Sequence, residues 1–168
     1  MKINFHPSLL HNYNMTRKIL TLVVIEKDNK VLLGMKKRGF GMGKWNGFGG
    51  KVQEGETIED AAKREIFEEA SVTVDSMEKL GTLDFCWKGK EQDILEVNIF
   101  KATDFSGEPS ESEEMKPQWF GINEIPFEKM WPDDKYWMPL FLENKKFTGR
   151  FVFDENSQVL EHELSEIK

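Results

Sequence analysis

The segment from Thr57 to Ala70, TIEDAAKREIFEEA, constrains this chain most, because its charges sit where a helix should be apolar. Thr57 followed three residues later by Asp60 resembles a capping box, which fixes the helix start. Advancing about 100° per residue from Ile58 puts Ala62 near +40°, Ala61 near −60° and Ile66 near +80°, the stripe that should be buried. Glu65 then falls near −20° and Glu69 near +20°, inside that stripe, with Glu68 at its edge near −80°. An ordinary amphipathic helix does not do this. Like charges at i,i+3 and i,i+4 cost about 0.2–0.5 kcal/mol a pair when exposed. Buried without a partner, each ionised carboxylate costs far more. A hard divalent cation such as Mg²⁺ removes the repulsion, since it prefers oxygen ligands, and Arg64 stands four residues before Glu68, placed to orient that carboxylate. The competing reading is a solvated acidic helix end. The apolar residues flanking the acids favour the metal.

Just upstream, KKRGFGMGKWNGFGGK holds six of the thirteen glycines. So many flexible residues are entropically costly, so the stretch requires backbone bends or close approach. Lys36, Lys37, Arg38, Lys44 and Lys51 make it locally basic. Free amides plus cationic side chains suit a polyphosphate. Two phosphate motifs are excluded: Gly39 to Lys44 has the wrong spacing for a P-loop and no following Ser or Thr, and no G-x-G-x-x-G opens a helix. A basic hairpin loop without ligand explains this stretch equally well.

Elsewhere the chain alternates between short apolar runs and turns. Strands are expected at residues 19–25, 31–33, 81–87, 94–101, 118–120 and 147–153, and a second helix at 135–145 although Pro139 interrupts it. Strands on both sides of a central helix predict an α/β layer architecture with a mixed sheet. With 168 residues, one domain is expected. Residues 1–16 show no clean period and read as a disordered extension, favoured over a targeting peptide, with the folded domain at 17–168. A net charge of −7 argues against gripping a nucleic acid polymer, whose phosphates demand cations, but not against a small anion. No apolar run approaches a membrane span, and the single cysteine, Cys86, leaves no internal disulfide, so a reducing, cytoplasmic setting is expected.

These residues carry a family signature. Gly50, five residues, Glu56, seven residues, Arg64-Glu65-Ile66, one residue and Glu68-Glu69 resemble the Nudix box, which here runs over 50–71. Ser71 replaces the glycine that would end the helix in a left-handed conformation, so a strained or differently capped end is expected. GMKKRGFGMGKWNGFGGKVQEGETIED and MWPDDKYW further resemble the branch of the family that acts on oxidised purine nucleoside triphosphates, over roughly residues 18–166. That resemblance implies an α/β/α sandwich and Mg²⁺-dependent cleavage to monophosphate and pyrophosphate, with Mn²⁺ as a substitute ion. The implied substrates are 8-oxo-dGTP, 2-hydroxy-dATP, 8-oxo-dATP and some methylated purines. It also implies a monomer that sanitises the nucleotide pool in the cytoplasm, with the mitochondrial matrix and nucleus as further compartments.

The same resemblance distributes roles. Glu65, Glu68 and Glu69, with Arg64 beside them, form the catalytic group, and the carbonyl of Gly49 joins the three acids in holding metal. Glu69 is the first choice for general base or metal-bridging carboxylate. Glu114 matches the family's distant metal-ligating acid, although the run from Glu108 to Glu114 reads equally well as a solvated acidic loop. Lys36, Gly49, Gly50 and Lys51 would contact phosphate or nucleotide. Base recognition would fall to Thr21, Asn46, Phe48, Trp131, Pro132, Asp133 and Asp134, with Phe40 and Trp137 as further walls. Two crowded carboxylates share one proton, so one donates a hydrogen bond while the other accepts. Read alone, Pro-Asp-Asp is an ordinary turn with Asp134 capping the next helix. Other nucleoside diphosphate derivatives (ADP-ribose, dinucleoside polyphosphates, capped RNA) and a catalytically silent nucleotide-binding module are the alternatives. The intact set of three repelling acids speaks against silence.

Overall fold

The computed structural model describes residues 14–168; the expected extension lies outside the described residues for all but its last three positions. The run from Ile19 to Ile25 is apolar at nearly every position because both its faces are covered. It belongs to β1 (Thr16–Lys27), where Val23 and Ile25 point to one core and Leu22 and Val24 to another. A left-handed pair, Asp28 and Asn29, turns the chain into β2 (Lys30–Lys36). A two-residue strand, β3 (Trp45–Asn46), then pairs back on β2 at Gly34 and Met35. The helix α1 (Ile58–Ala70) follows, capped by the Thr57 hydroxyl, which accepts the Asp60 amide at 3.1 Å.

After α1 come β4 (Glu78–Trp87), β5 (Asp93–Ala102) and β6 (Met115–Gly121), then two 3-10 turns. A second helix, α2 (Asp134–Leu142), leads into the terminal hairpin of β7 (Lys146–Phe153) and β8 (Val159–Ile167). One sheet orders these strands β3-β2-β1-β5-β4-β7-β8, with β6 on β2. The β1–β5 and β4–β7 pairs are parallel and the others antiparallel, so the sheet is mixed as expected.

α1 covers one face through Ala62, Ile66 and Ala70, which pack with Val23, Phe48 and Phe100. α2 covers the other through Trp137, Met138 and Phe141, against Leu22, Leu83, Ile99, Phe147 and Phe151. The α/β/α sandwich expected from the resemblance is therefore present. No helix among the described residues is long and apolar enough to cross a membrane.

Ser71 ends α1 at φ 60°, the left-handed conformation a glycine would take, and its N–H donates to the Phe67 carbonyl at 2.9 Å. The helix is thus capped as the glycine pattern caps it, with a side chain carrying the strain.

Candidate active site

Between the sheet, α2 and the glycine-rich loop lies a cavity of about 610 Å³. Its apolar wall comes from alternate residues of three strands: Leu20 and Leu22 on β1, Leu95, Val97 and Ile99 on β5, and Phe85 and Trp87 on β4. Among the residues expected at the site, Thr21, Lys36, Phe40, Asn46, Gly49, Gly50, Lys51, Glu69, Glu114, Trp131, Asp133, Asp134 and Trp137 all line it. Pro132 does not.

Phe48 is a correction. Its ring is fully buried in the core beneath α1 and does not line the cavity. Two backbone bonds hold it there: its N–H donates to Val23 at 2.9 Å and its carbonyl accepts from Val23 at 2.6 Å. Gly34 makes the room, since a Cβ there would stand 2.7 Å from the Phe48 ring.

Glycine at 49 and 50 is a matter of space. A Cβ on Gly49 would lie 1.7 Å from the Thr21 carbonyl oxygen, and one on Gly50 2.5 Å from a Glu65 carboxylate oxygen. The loop is thereby wedged between β1 and α1, and the Gly49 N–H donates to Glu69 Oε1 at 2.8 Å. Glu69 is buried at 5% exposure, as the helical wheel required. Burial pushes its carboxyl up to about 8, against the pull of the Gly49 N–H, and Glu65 and Glu114 push it further. Glu65 is half-buried, whereas Glu68 is largely exposed.

Arg64 gathers the remaining acids of the box. It bonds Glu56 at 2.7 Å, Glu65 at 2.8 Å and Glu68 at 3.3 Å, and reaches the Lys51 carbonyl at 3.2 Å. Glu114, across the cavity, is held by Arg38 and Lys36. As these side chains lie, no three acids among the described residues stand close enough to clasp an ion. The donor chemistry nevertheless fits a hard divalent cation: every donor is oxygen, and Glu69 is a buried carboxylate lacking a compensating cation in contact.

At the other end of the cavity, Asp133 and Asp134 are 4% and 2% exposed. Asp133 stands at the N-cap of α2 without a side-chain capping bond and Asp134 is the first residue of the helix, so capping does not account for the burial of either carboxyl. Asp133 Oδ2 instead accepts the Trp137 indole N–H at 2.9 Å, while Asp134 Oδ2 has no partner. Burial raises the Asp133 carboxyl to about 6, although the Trp137 bond opposes the rise. Burial raises Asp134 further, because the Asp133 charge stands beside it. The two carboxyls therefore titrate as one coupled pair, with Asp134 the more strongly raised.

Asn46 spends its Oδ1 on the Gly47 N–H at 2.9 Å, which leaves its amide hydrogens for a ligand. Trp131 meets Phe40 at 4.9 Å between ring centres, and Lys44 Nζ lies 5.4 Å from its ring. Sequence reading missed the sheet wall, above all Trp87 and Phe153, which meet at 5.2 Å. Alternation along β4 and β5 marked the strands; what it lacked was the register bringing them together.

The NUDIX domain family model matches residues 15–141. An oxidized purine nucleoside triphosphate hydrolase from Danio rerio is 54% identical over 153 residues, covering 91% of this chain and 97% of that protein. Its namesake from Mus musculus is 53% identical over 152 residues, covering 90% and 97%. Among solved structures, a mutator MutT protein from Bacillus halodurans superposes with a TM-score of 0.80 at 29% identity, covering 88% of this chain and 97% of that one.

Proposed function

Since the chain belongs to the NUDIX hydrolase family, we propose that it cleaves oxidised purine nucleoside triphosphates to the monophosphate and pyrophosphate. The observation that carries this reading is one cavity lined at one end by two adjacent buried acids, Asp133 and Asp134, and at the other by Glu69, Lys36 and the Gly49–Lys51 loop. Such a cavity suits a ligand with a hydrogen-bonding purine edge and an anionic tail. Both relatives named above are described as hydrolases of such nucleotides.

NUDIX hydrolases work with a divalent metal, here proposed as Mg²⁺ with Mn²⁺ as substitute, held by Glu65, Glu68, Glu69, Glu114 and the Gly49 carbonyl. Bound there, it would neutralise phosphate oxygens and acidify a water. Glu69 is the proposed general base, fixed in orientation by the Gly49 N–H. Arg64 keeps Glu65 and Glu68 in their rotamers through its charge-assisted bonds. Lys36 and the amides of Gly50 and Lys51 receive phosphate oxygens, which oriented N–H groups and a cation favour. Trp131 offers the base a stacking face, and the free Asn46 amide donates to it.

Asp133 and Asp134 read the purine edge as acceptor and donor. Exchanging the proton between them lets one pocket take an oxidised guanine or an oxidised adenine. A single small-molecule substrate and a monomer suffice for this scheme.

Turnover of 8-oxo-dGTP, 2-hydroxy-dATP and 8-oxo-dATP, compared with dGTP, dATP and ADP-ribose, with and without Mg²⁺, tests the proposal. The expected result is Mg²⁺-dependent pyrophosphate release favouring the oxidised purines. Preference for ADP-ribose, or binding without hydrolysis, would refute it.

A further inference from the structure

We propose that Arg38 is a phosphate-gripping residue held in reserve by Glu114, and that the substrate triphosphate is admitted by a partner exchange at that ion pair. The proposal deepens the functional reading above and rests on it.

Arg38 directs Nε and Nη2 at one oxygen, Glu114 Oε1, at 2.8 and 2.6 Å. Lys36 Nζ stands 3.3 Å from the other oxygen, Oε2. Glu114 thus engages both cations, with the exposed Glu113 carboxylate a weaker second partner 3.7 Å from Arg38 Nη2, and the Arg38, Lys36 and Glu114 side chains line the cavity together with Glu69. The backbone beneath is pinned: the Lys37 N–H donates to the Glu114 carbonyl at 2.8 Å, and Lys37 Nζ donates to the Ser112 carbonyl at 2.7 Å. Beyond Arg38 the chain turns away through three left-handed glycines, Gly39, Gly41 and Gly43. Movement at this point therefore belongs to the side chains of Arg38, Lys36 and Glu114.

A guanidinium fork engages phosphate as it engages carboxylate, with two parallel N–H···O bonds. A triphosphate arriving with its divalent cation brings an anion for Arg38 and Lys36 and a cation for Glu114. Every charge then changes partner and none is left unpaired. A triphosphate arriving alone must displace Glu114 with nothing to receive it. Nucleotide and cation therefore strengthen each other's binding, reciprocally, through this one pair. If the ion pairs only tethered the loop, breaking them would loosen the site and weaken binding under every condition.

Calorimetric titration of the full chain separates the two. The probes are inorganic tripolyphosphate in EDTA and the α,β-imido analogue of 8-oxo-dGTP with Mg²⁺. Glu114→Gln frees Lys36 and leaves Arg38 only the exposed Glu113 contact at 3.7 Å, and is expected to bind tripolyphosphate about three- to fivefold more tightly than the unaltered chain in EDTA, the scale of a partly exposed ion pair. Arg38→Ala is expected to change tripolyphosphate binding in EDTA by less than about twofold, because Arg38 is already engaged there, yet to weaken the analogue with Mg²⁺ about tenfold or more, the worth of a charge-assisted bond. Tripolyphosphate binding to Glu114→Gln that is unchanged or weaker overturns the proposal. So does an equal loss by Arg38→Ala with and without Mg²⁺. If the unaltered chain hydrolyses no oxidised purine triphosphate, the functional reading fails on its own, while the EDTA titration still decides the exchange.

Discussion

Replacing Glu69 by Gln should stabilise the metal-free protein while abolishing turnover, with a pH dependence that identifies the cause. Glu69 is 5% exposed, and its carboxyl is raised from 4.5 to about 8, chiefly by burial. Between those values the folded chain holds a proton that the unfolded chain has released. Stability therefore falls as pH climbs from about 4.5 to about 8, then levels off. At 1.36 kcal/mol per unit the full shift corresponds to about 5 kcal/mol, a ceiling that side-chain relaxation into the open cavity should roughly halve. Gln has the shape of the protonated acid, can keep the Gly49 N–H bond, and has no charge to desolvate. The two proteins should melt together near pH 5 and diverge toward pH 8, where the variant leads by about 5–10 °C for a domain of this size. Thermal melts in EDTA from pH 5 to 9 read this directly. With Mg²⁺ the order should narrow or reverse, since an ion bound only by the folded native protein stabilises it by mass action. Parallel melting temperatures across the pH range would show that Glu69 does not carry this strain, and retained hydrolysis by the variant would remove it from the catalytic group.

Asp133→Asn should weaken kcat/KM for some oxidised purines more than others and flatten the difference between their pH profiles around pH 6, where the native Asp133 ionises; a uniform loss across the substrate panel would point to misfolding instead. Ser71→Gly should raise stability by about 0.5–1 kcal/mol, since glycine takes the left-handed φ of 60° without the side-chain penalty. A urea midpoint that falls would contradict that. Lys101, 5% exposed, joins Glu26 at 2.6 Å and Asn144 at 2.8 Å and lies 4.6 Å from the Phe141 ring. Lys101→Met should cost about 2–3 kcal/mol by denaturant titration, because it strands the Glu26 charge, and adding Glu26→Gln should return part of the loss.

The acids of α1 were legible because a helix has a fixed angular step: Glu69 is buried where the wheel put it, and Glu65 half-buried beside it. Glu68 sits at the edge of the stripe, and Arg64 draws it outward, a competition that no wheel contains. The strands carrying apolar alternation were legible too. β8 was not, because it lies at the sheet edge with most of its residues exposed, so VLEHELSEI has no buried face to alternate. The cavity wall was hidden for another reason. Leu20 meets Val97 through the parallel β1–β5 register, across a separation in sequence that no local pattern encodes. Phe48 was misread by proximity, since Asn46 and Gly49 on either side do face the cavity. Asp133 and Asp134 looked like a turn because their burial depends on α2 folding back over the sheet. Arg38 was visible only as one charge in a basic stretch, its partner Glu114 lying in a distant loop.

The paired acids near Trp131 and the buried Glu69 of α1 line one cavity walled by the same few strands, whose ladder does not stretch. Under the proposed function the sheet would act as a ruler, setting the point of scission by its distance from the base and not from the free end of the phosphate chain. A tail one unit shorter would lie along the same scale and part at the same mark, giving up orthophosphate where the longer one gives up pyrophosphate.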